Sequence, residues 1–330
     1  MAARERQRVV ITDYDYGEVD IERAIIEGAG LELIAAECKT EDDVITVARD
    51  AHAVIPQYAP VGARAIDAFT NCRVIARYGT GVDIVDVEAA TRRGILVTNV
   101  PNDWCRDEVA DHAMALVLAE ARKLRAYDRD TRAGVWRWQS GRPIHRLRGR
   151  VLGLLSYGVI AQAIALRAAG FGMVVIAHDP YVDAVVMAEQ RVEAVSFDEL
   201  LKRSDFLVIQ APLTPATHHL FDEASLREMK PNAVLVNTAR GPIVNDAALY
   251  RALTEEWIAG AGLDDIEEEP AKQGPDWKPT NPLFGLDNVI ITPHAAYYSE
   301  EAMRTVRQFP AEEVVRVLSG QAALSPVNAV

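Results

Sequence analysis

The 330-residue sequence predicts an α/β protein with two series of parallel strands, and three observations favour this fold class. Short apolar runs alternate with helical stretches along most of the chain, which is typical of βαβ units. The length corresponds to two domains at roughly 100–200 residues each. The composition, with 49% hydrophobic and 25% charged residues, is that of a globular protein that buries a large core.

The first series of elements occupies the first hundred residues. Its apolar runs predict strands at 8–12, 31–36, 53–55 and 74–76, with helices at 19–27 and 40–51. A glycine-containing turn at 77–81 follows the last of these strands. A long helical stretch at about 106–132 and a connecting arm to residue 150 lead to the second series.

The second series begins at Val151. It predicts strands at 151–155, 173–177, 206–210, 233–237, 259–263 and 288–292. Six strands with intervening helices are the pattern of a doubly wound, Rossmann-like nucleotide-binding domain. An amphipathic helix is expected near the C-terminus, at 300–318.

Charge and cysteine content exclude several classes of function. The formal net charge of −13 disfavours binding to nucleic acid and to anionic membranes. The sequence predicts neither a signal peptide nor a transmembrane helix. The three cysteines form no CxxC pair and no metal-ligand spacing, so we expect no metal site and a cytoplasmic location.

A weak dinucleotide fingerprint follows the first strand of the second series. In LGLLSYGVIAQAIA (152–165), the three glycine positions of GxGxxG hold Ser156, Gly158 and Ala161. A strand that turns into a helix N-terminus binds a pyrophosphate through free N–H groups and the helix dipole. Ser156 can hold such a turn if its φ stays negative, and its hydroxyl is able to cap the helix. A strand–turn–helix without a ligand is the alternative.

Asp179 strengthens the prediction of a dinucleotide site. It follows an apolar strand about 20 residues past the turn, where an acidic residue accepts hydrogen bonds from the adenosine ribose hydroxyls. A carboxylate at this position repels a 2′-phosphate, which predicts NAD over NADP. The alternative is a turn or helix cap in the segment Asp-Pro-Tyr.

Three further predicted strands end in polar residues, and ligands of open α/β sheets bind at these ends. Arg240 follows the first, an acidic run at 264–269 follows the second, and His294 follows the third. An arginine clamps a carboxylate, and an imidazole supported by a carboxylate donates a proton. Taken singly, each has a structural alternative: a surface charge, a solvated acidic face or a core histidine.

Together these segments resemble the D-isomer-specific 2-hydroxyacid dehydrogenase family, nearest the branch of the C-terminal-binding proteins. The resemblance rests on RYGTGVD (77–83), EVADHAMALVLAEAR (108–122), NTARGPIVN (237–245), AGAGLDDIEEEP (259–270) and TPHAAYYS (292–299). It implies an NAD-dependent enzyme that reversibly reduces a small 2-oxo acid to a D-2-hydroxy acid by hydride transfer.

The resemblance also implies roles for residues. Arg240 matches the substrate-binding arginine, His294 the general acid/base, and Glu269, directly before Pro270, the carboxylate that pairs with it. The implied substrate-binding residues are Tyr78, Gly79, Thr80, Gly81, Arg240 and Tyr297. The implied cofactor-binding residues are Ser156, Tyr157, Gly158, Val159, Ile160, Asp179, Pro212, Thr217, Thr238, Ala239, Arg240, Asp264 and His294.

By the same resemblance, a discontinuous, flavodoxin-like substrate domain comprises 1–101 and 297–330. An NAD-binding Rossmann domain comprises 102–296, with the active site in the cleft and a homodimer formed through this domain. Two alternatives stay open. One is an NADH-sensing corepressor or scaffold, and the other is a dehydrogenase with an unusual substrate, because Trp104 and Tyr297 depart from the aromatic residues common in relatives.

Overall fold

The computed structural model describes residues 6–268 and 277–330. The chain divides into two compact units, the first formed by Met1–Trp104 with Ser299–Val330 and the second by Cys105–Tyr298. Each unit contains one parallel sheet covered by helices on both faces, so the predicted fold class is confirmed. The functional names of the two units stay proposals.

The chain forms twelve strands and twelve α-helices within the described ranges. The strands are β1 (Arg8–Ile11), β2 (Glu32–Ala35), β3 (Ala53–Ile55), β4 (Val74–Ala76), β5 (Leu96–Thr98), β6 (Val151–Leu155), β7 (Val174–His178), β8 (Glu193–Ala194), β9 (Phe206–Ile209), β10 (Val234–Asn237), β11 (Gly260–Leu263) and β12 (Val289–Ile291). The helices are α1 (Asp20–Gly28), α2 (Glu41–Ala48), α3 (Ala63–Ala68), α4 (Val87–Arg92), α5 (Arg106–Ala121), α6 (Leu124–Arg132), α7 (Val159–Gly170), α8 (Ala184–Glu189), α9 (Phe197–Arg203), α10 (Glu223–Arg227), α11 (Asp246–Thr254) and α12 (Glu300–Leu318).

The first unit has a five-stranded sheet in the order β2-β1-β3-β4-β5, which is the flavodoxin-like order. Successive residues of β1 face opposite sides, so Val9 and Ile11 join one core cluster and Val10 the other. The helix α12 returns to pack on α1. The strand β5, at the edge of this sheet, was not predicted.

The second unit has a seven-stranded parallel sheet in the order β12-β11-β10-β9-β6-β7-β8. The order reverses between β6 and β9, which is the switch point where doubly wound sheets bind ligands at the carboxyl ends of their strands. Separate apolar clusters lie on the two faces. The seventh strand, β8, was not predicted because its two residues, Glu193 and Ala194, are polar or small and exposed.

The predicted helix at 106–132 is two helices. The helix α5 ends at Ala121, and Lys123 adopts the left-handed conformation with φ 53° before α6 begins. The Lys123 ammonium lies 3.2 Å from the buried Glu120 carboxylate, so it neutralises a charge that α5 carries into the protein. A helical periodicity pattern does not reveal this break, since lysine is a good helix former.

Among the described residues, no helix is both long and apolar enough to cross a membrane. Cys38, Cys72 and Cys105 are free thiols. Burial raises the pKa of the Cys38 thiol to about 11, which keeps it in the protonated form.

Candidate active site

The turn between β6 and α7 departs from our expectation for Ser156. Ser156 takes a left-handed conformation with φ +76°, and Gly158, not the serine, is the N-cap of α7. The condition of a negative φ is therefore not met, and the serine hydroxyl does not cap the helix. The first position of the fingerprint keeps the backbone conformation that favours glycine, although a serine occupies it.

The Ser156 hydroxyl is directed to Asp179 instead. It donates to Asp179 Oδ2 at 3.1 Å, and the Tyr157 N–H donates to the same oxygen at 2.8 Å. The other oxygen, Oδ1, accepts the Tyr181 N–H at 2.8 Å. Asp179 thus caps its own turn and is also held beside the fingerprint turn. Since a carboxylate oxygen can accept two hydrogen bonds, Oδ1 retains the capacity to accept one from a ribose hydroxyl.

The region around Gly158 fits a dinucleotide pyrophosphate. A Cβ built on Gly158 would meet no atom within 4 Å, so the protein's own packing does not require a glycine there. The open space lies at the N-terminus of the 12-residue α7, where backbone N–H groups attract an anion. Ala161 is buried in the core, and the Tyr157 hydroxyl donates to Gln190 Oε1 at 2.9 Å.

The other predicted cofactor residues lie at α7 and at the loops after β9 and β10. Gln210 Nε2 donates to Thr238 Oγ1 at 2.5 Å, which joins these two loops. Thr217 Oγ1 donates to the Pro212 carbonyl at 2.7 Å and closes the loop after β9. Val159 and Ile160 form the first turn of α7.

Substitutions of Ser156 separate its backbone role from its hydroxyl role. The Ser156→Ala variant keeps a left-handed L-residue, whereas Ser156→Gly relieves that strain, and both lose the bond to Asp179. We expect the glycine variant to be more stable than the alanine variant by about 1 kcal/mol in urea unfolding. Both variants should bind NADH about fivefold more weakly, because the Asp179 carboxylate loses one of the three bonds that hold it in place, a loss of about 1 kcal/mol. Equal stability of the two variants would contradict the backbone assignment, and unchanged NADH affinity would contradict the hydroxyl assignment.

Arg240 lies in a tight turn after β10 that Asn237 organises. Asn237 Nδ2 donates to the Arg240 carbonyl at 2.9 Å, and its Oδ1 accepts the Ala239 N–H at 3.0 Å. The guanidinium is half-buried and donates to the Ala239 carbonyl at 2.8 Å. A Cβ on Gly241 would lie closer than 3.0 Å to the backbone of Ile266, so this glycine allows the loops after β10 and β11 to meet.

His294 lies in a loop that folds around the carboxylate of Asp264. Asp264 Oδ1 accepts the Thr292 hydroxyl at 2.5 Å and the Ala295 N–H at 2.9 Å, and Oδ2 accepts the Ala296 N–H at 2.8 Å. The His294 N–H donates to the Asp264 carbonyl at 2.8 Å. The backbone of His294 adopts the left-handed conformation with φ 51°. These bonds use most of the Asp264 acceptor sites, so its carboxylate chiefly shapes the histidine loop.

His112 on α5 supports the same loop, although the sequence suggested no role for it. Its Nε2 lies 2.9 Å from Thr292 Oγ1 and 3.6 Å from Asp264 Oδ1. The Thr292 hydroxyl gives its proton to Asp264, so His112 must be the donor to Thr292. The sequence held one signal for this role, since His112 lies in the segment 108–122 on which the family resemblance rests.

Among the predicted carboxylates, Glu269 lies outside the described residues. Asp265, which the sequence did not single out, is within them and is buried. Its Oδ2 lies 4.0 Å from His294 Nδ1. The structure therefore adds a carboxylate to the surroundings of the histidine.

One cluster of side chains has the composition of a metal site. It consists of His218, His219 and Glu267, whose donor atoms lie within 4.8 Å of one another. Asn245 uses its oxygen for the Ala248 N–H, so its amide nitrogen faces His219 Nδ1 at 3.4 Å as a donor. His219 Nε2 then donates to Glu267 Oε1 at 2.5 Å. Two ligands of a tetrahedral zinc ion would be roughly 3.3 Å apart. The 2.5 Å between His219 Nε2 and Glu267 Oε1 is shorter than this and is the distance of a hydrogen bond.

The predicted substrate turn belongs to the first unit and is fixed at Thr80. Thr80 Oγ1 donates to the Val100 carbonyl and accepts the Trp104 indole N–H, both at 3.1 Å. The Thr80 carbonyl accepts Asn99 Nδ2 at 2.6 Å. Within the described ranges, the N–H groups of Thr80 and Gly81 donate to no acceptor of the chain. The turn thus offers two amide donors.

Tyr78 and Gly79 precede these amides and have different roles. Gly79 has φ +113°, a conformation that L-residues rarely adopt. The Tyr78 side chain enters the core, where its hydroxyl donates to the buried Glu22 at 3.0 Å. Burial, followed by the Glu22 charge, raises the pKa of Tyr78 well above its usual value. Only the Tyr78 backbone faces the turn.

Asp13 fixes a loop of the first unit, a role that the sequence did not reveal. It follows β1 at the carboxyl edge and is buried. Its carboxylate accepts the backbone N–H groups of Gln57, Tyr58 and Ala59 at 3.1, 2.6 and 3.0 Å. It therefore fixes the loop after β3. The sequence held one signal for this role, since Asp13 directly follows the strand predicted at 8–12.

The chain is similar to known proteins over most of its length. Residues 114–296 match the model for the NAD binding domain of D-isomer specific 2-hydroxyacid dehydrogenases. A glyoxylate reductase of Korarchaeum cryptofilum is 40% identical over 82% of this chain and 80% of its own length. A D-3-phosphoglycerate dehydrogenase of Methanocaldococcus jannaschii is 39% identical over 92% of this chain and 56% of its own length. The structure of a D-lactate dehydrogenase from Aquifex aeolicus, complexed with NAD and lactic acid, has a TM-score of 0.87 and 27% identity over 94% of this chain and 96% of that one.

Proposed function

The chain belongs to the D-isomer specific 2-hydroxyacid dehydrogenase family, an NAD-dependent class of oxidoreductases, and we propose that Arg240 and His294 carry out its reaction, the reduction of small 2-oxo acids to D-2-hydroxy acids. The observation that supports this most is the placement of both residues after strands of one sheet, on either side of β11. Arg240 follows β10 and His294 follows β12, at the carboxyl edge where the fingerprint turn after β6 also lies.

His294 supplies the proton in this proposal. When bound, the reduced nicotinamide supplies the hydride that is added to C2. The oxygen on C2 gains negative charge as this happens, and a protonated imidazole neutralises it. His294 is suited to this task because its loop is fixed around Asp264, so the ring starts from one defined position. Glu269 is proposed to support the imidazolium.

Arg240 and the Thr80–Gly81 turn bind the substrate in this proposal. The guanidinium pairs with the substrate carboxylate and polarises the C2 carbonyl. The amides of Thr80 and Gly81 receive the carboxylate, which agrees with their lack of an acceptor within the described ranges. Tyr297 is proposed to border the substrate, since its ring lies edge-on to His294 with centroids 6.1 Å apart.

The proposed cofactor is NAD, held at Gly158 and Asp179. The open space at Gly158 accommodates the pyrophosphate, and Asp179 accepts a ribose hydroxyl through Oδ1. Thr238, Ala239 and Asp264 are proposed to line the nicotinamide side. The carboxylate of Asp179 disfavours the additional phosphate of NADP by charge repulsion.

We further propose a cytoplasmic homodimer formed through the second unit. On the arm between α6 and β6, Trp136 is 88% exposed and Trp138 is 62% exposed, which is unusual for large apolar side chains. Free thiols agree with a reducing compartment. Sedimentation as a monomer at micromolar concentration would refute the dimer, and membrane-bound protein in cell fractionation would refute the location.

A substrate panel tests the proposed function. We expect NADH oxidation with 2-oxo acids, glyoxylate and pyruvate among them, and weaker activity with NADPH. The physical reason is that a fixed guanidinium and two amides recognise the 2-oxo carboxylate shared by all these substrates. Inactivity with the whole panel, together with tight NADH binding, would contradict the proposal and favour a sensor or scaffold.

A further inference from the structure

Asp265 brings a second carboxylate to the proton-donating histidine. It follows Asp264 at the end of β11, and its side chain is only 4% exposed. Its Oδ2 lies 4.0 Å from Nδ1 of His294, whose side chain is 23% exposed. This separation is too long for a hydrogen bond, so the interaction is one of charge. Because the carboxylate is buried, salt and water screen that charge only weakly.

The other charged groups around His294 have tasks of their own. Asp264 accepts three hydrogen bonds from the histidine loop, and His112 donates to Thr292 in that loop. Tyr297 presents its ring edge-on to the imidazole. Glu269, the carboxylate named from the sequence, belongs to the segment between the described ranges. Among the described groups, Asp265 is therefore the carboxylate nearest the imidazole nitrogen.

From this geometry we propose that Asp265 is a positioning residue that stabilises the protonated form of His294 and turns its Nδ1 towards the protein. The inference rests on the proposed role of His294 as proton donor. The two adjacent aspartates then divide their tasks, since Asp264 fixes the loop and Asp265 acts on the ring. With Nδ1 facing Asp265, Nε2 is the nitrogen that exchanges a proton with the substrate.

The Asp265→Asn variant tests the proposal through pH profiles. Removing a negative charge beside an imidazolium lowers its pKa, by about one unit for a carboxylate at this distance. Reduction requires protonated His294, so the pH at which kcat/KM for reduction falls should decrease by about one unit. Oxidation requires neutral His294, so the pH at which kcat/KM for oxidation rises should decrease equally. Disturbed packing would lower both plateaus without moving either pKa.

Two controls accompany this variant. Asp265→Glu keeps the charge and should restore most of the wild-type pKa. Asp287→Asn removes one exposed carboxylate, which pairs with Arg129, and should leave the profiles unchanged. If Asp265→Asn keeps the wild-type pKa in both directions, the proposal is wrong.

A titration of His294 by NMR makes the test independent of activity. The ring signal in protein labelled with ¹³C-histidine is assigned by its absence in His294→Asn. We expect the pKa of His294 to decrease in Asp265→Asn and to be retained in Asp265→Glu. A shift in this titration without any 2-oxo acid turnover would refute the proposed function but retain the charge interaction. An unchanged titration in an active enzyme would refute the role of Asp265 alone.

Discussion

Replacing His294 with asparagine is expected to lower kcat for 2-oxo acid reduction by about 10²–10⁴-fold, the range for loss of a general acid. Asparagine tolerates the left-handed conformation that His294 adopts with φ 51°, so the loop should keep its shape. The side chain cannot exchange the proton, however. Steady-state kinetics with the best substrate measure this loss.

The dissociation constant of NADH separates chemistry from folding in this variant. It should change little, because the fingerprint turn and Asp179 are untouched. His145→Ala, which removes an exposed histidine from the connecting arm, is the matched control and should be fully active. Near wild-type turnover of His294→Asn would show that another group donates the proton.

Replacing Arg240 with alanine is expected to lower kcat/KM for 2-oxo acids by about 10²–10³-fold. Losing the charged partner of a desolvated carboxylate costs about 3–4 kcal/mol, which corresponds to this factor. Both KM and kcat should suffer, since the guanidinium binds the carboxylate and polarises the carbonyl. Arg240→Lys should recover part of the loss, because the ammonium keeps the charge but not the planar fork of donors.

The surface variant Arg251→Ala is the control for removing an arginine. Arg251 lies on α11, about half exposed, and pairs with Glu223 and Glu255. Its removal should leave kcat/KM unchanged. If Arg240→Ala reduced 2-oxo acids as fast as the wild type, the assignment of Arg240 to the substrate would fail.

Strand positions were largely predictable because buried parallel strands are continuous runs of Val, Ile and Leu. The runs at 8–12 and 151–155 illustrate this, since they coincide with β1 and β6 to within one residue. The strand β8 was missed because its two residues are exposed and form no apolar run, and β5 was missed although it is as long as β3 and β4. Their existence depends on pairing with β4 and β7, which the local sequence does not express.

The site was predictable at the level of single residues and not at the level of contacts. Arg240 and His294 stand out because each lies three residues past the end of an apolar strand. Ser156 shows this limit, because its hydroxyl bonds to Asp179, 23 residues away, and the local sequence does not express that contact. The roles of Asp13 and His112 likewise depend on loops distant in sequence. The predicted nearness to the C-terminal-binding-protein branch stays a prediction.

Transfer of deuterium from reduced cofactor to product tests the central claim most directly. The wild-type enzyme would be given NADH carrying deuterium at C4 on the transferred face, with the best 2-oxo acid of the panel. We predict that the product carries the deuterium at C2 and is the D-2-hydroxy acid by chiral chromatography. NADH oxidation that leaves no deuterium at C2, or formation of the L-acid, would contradict the account.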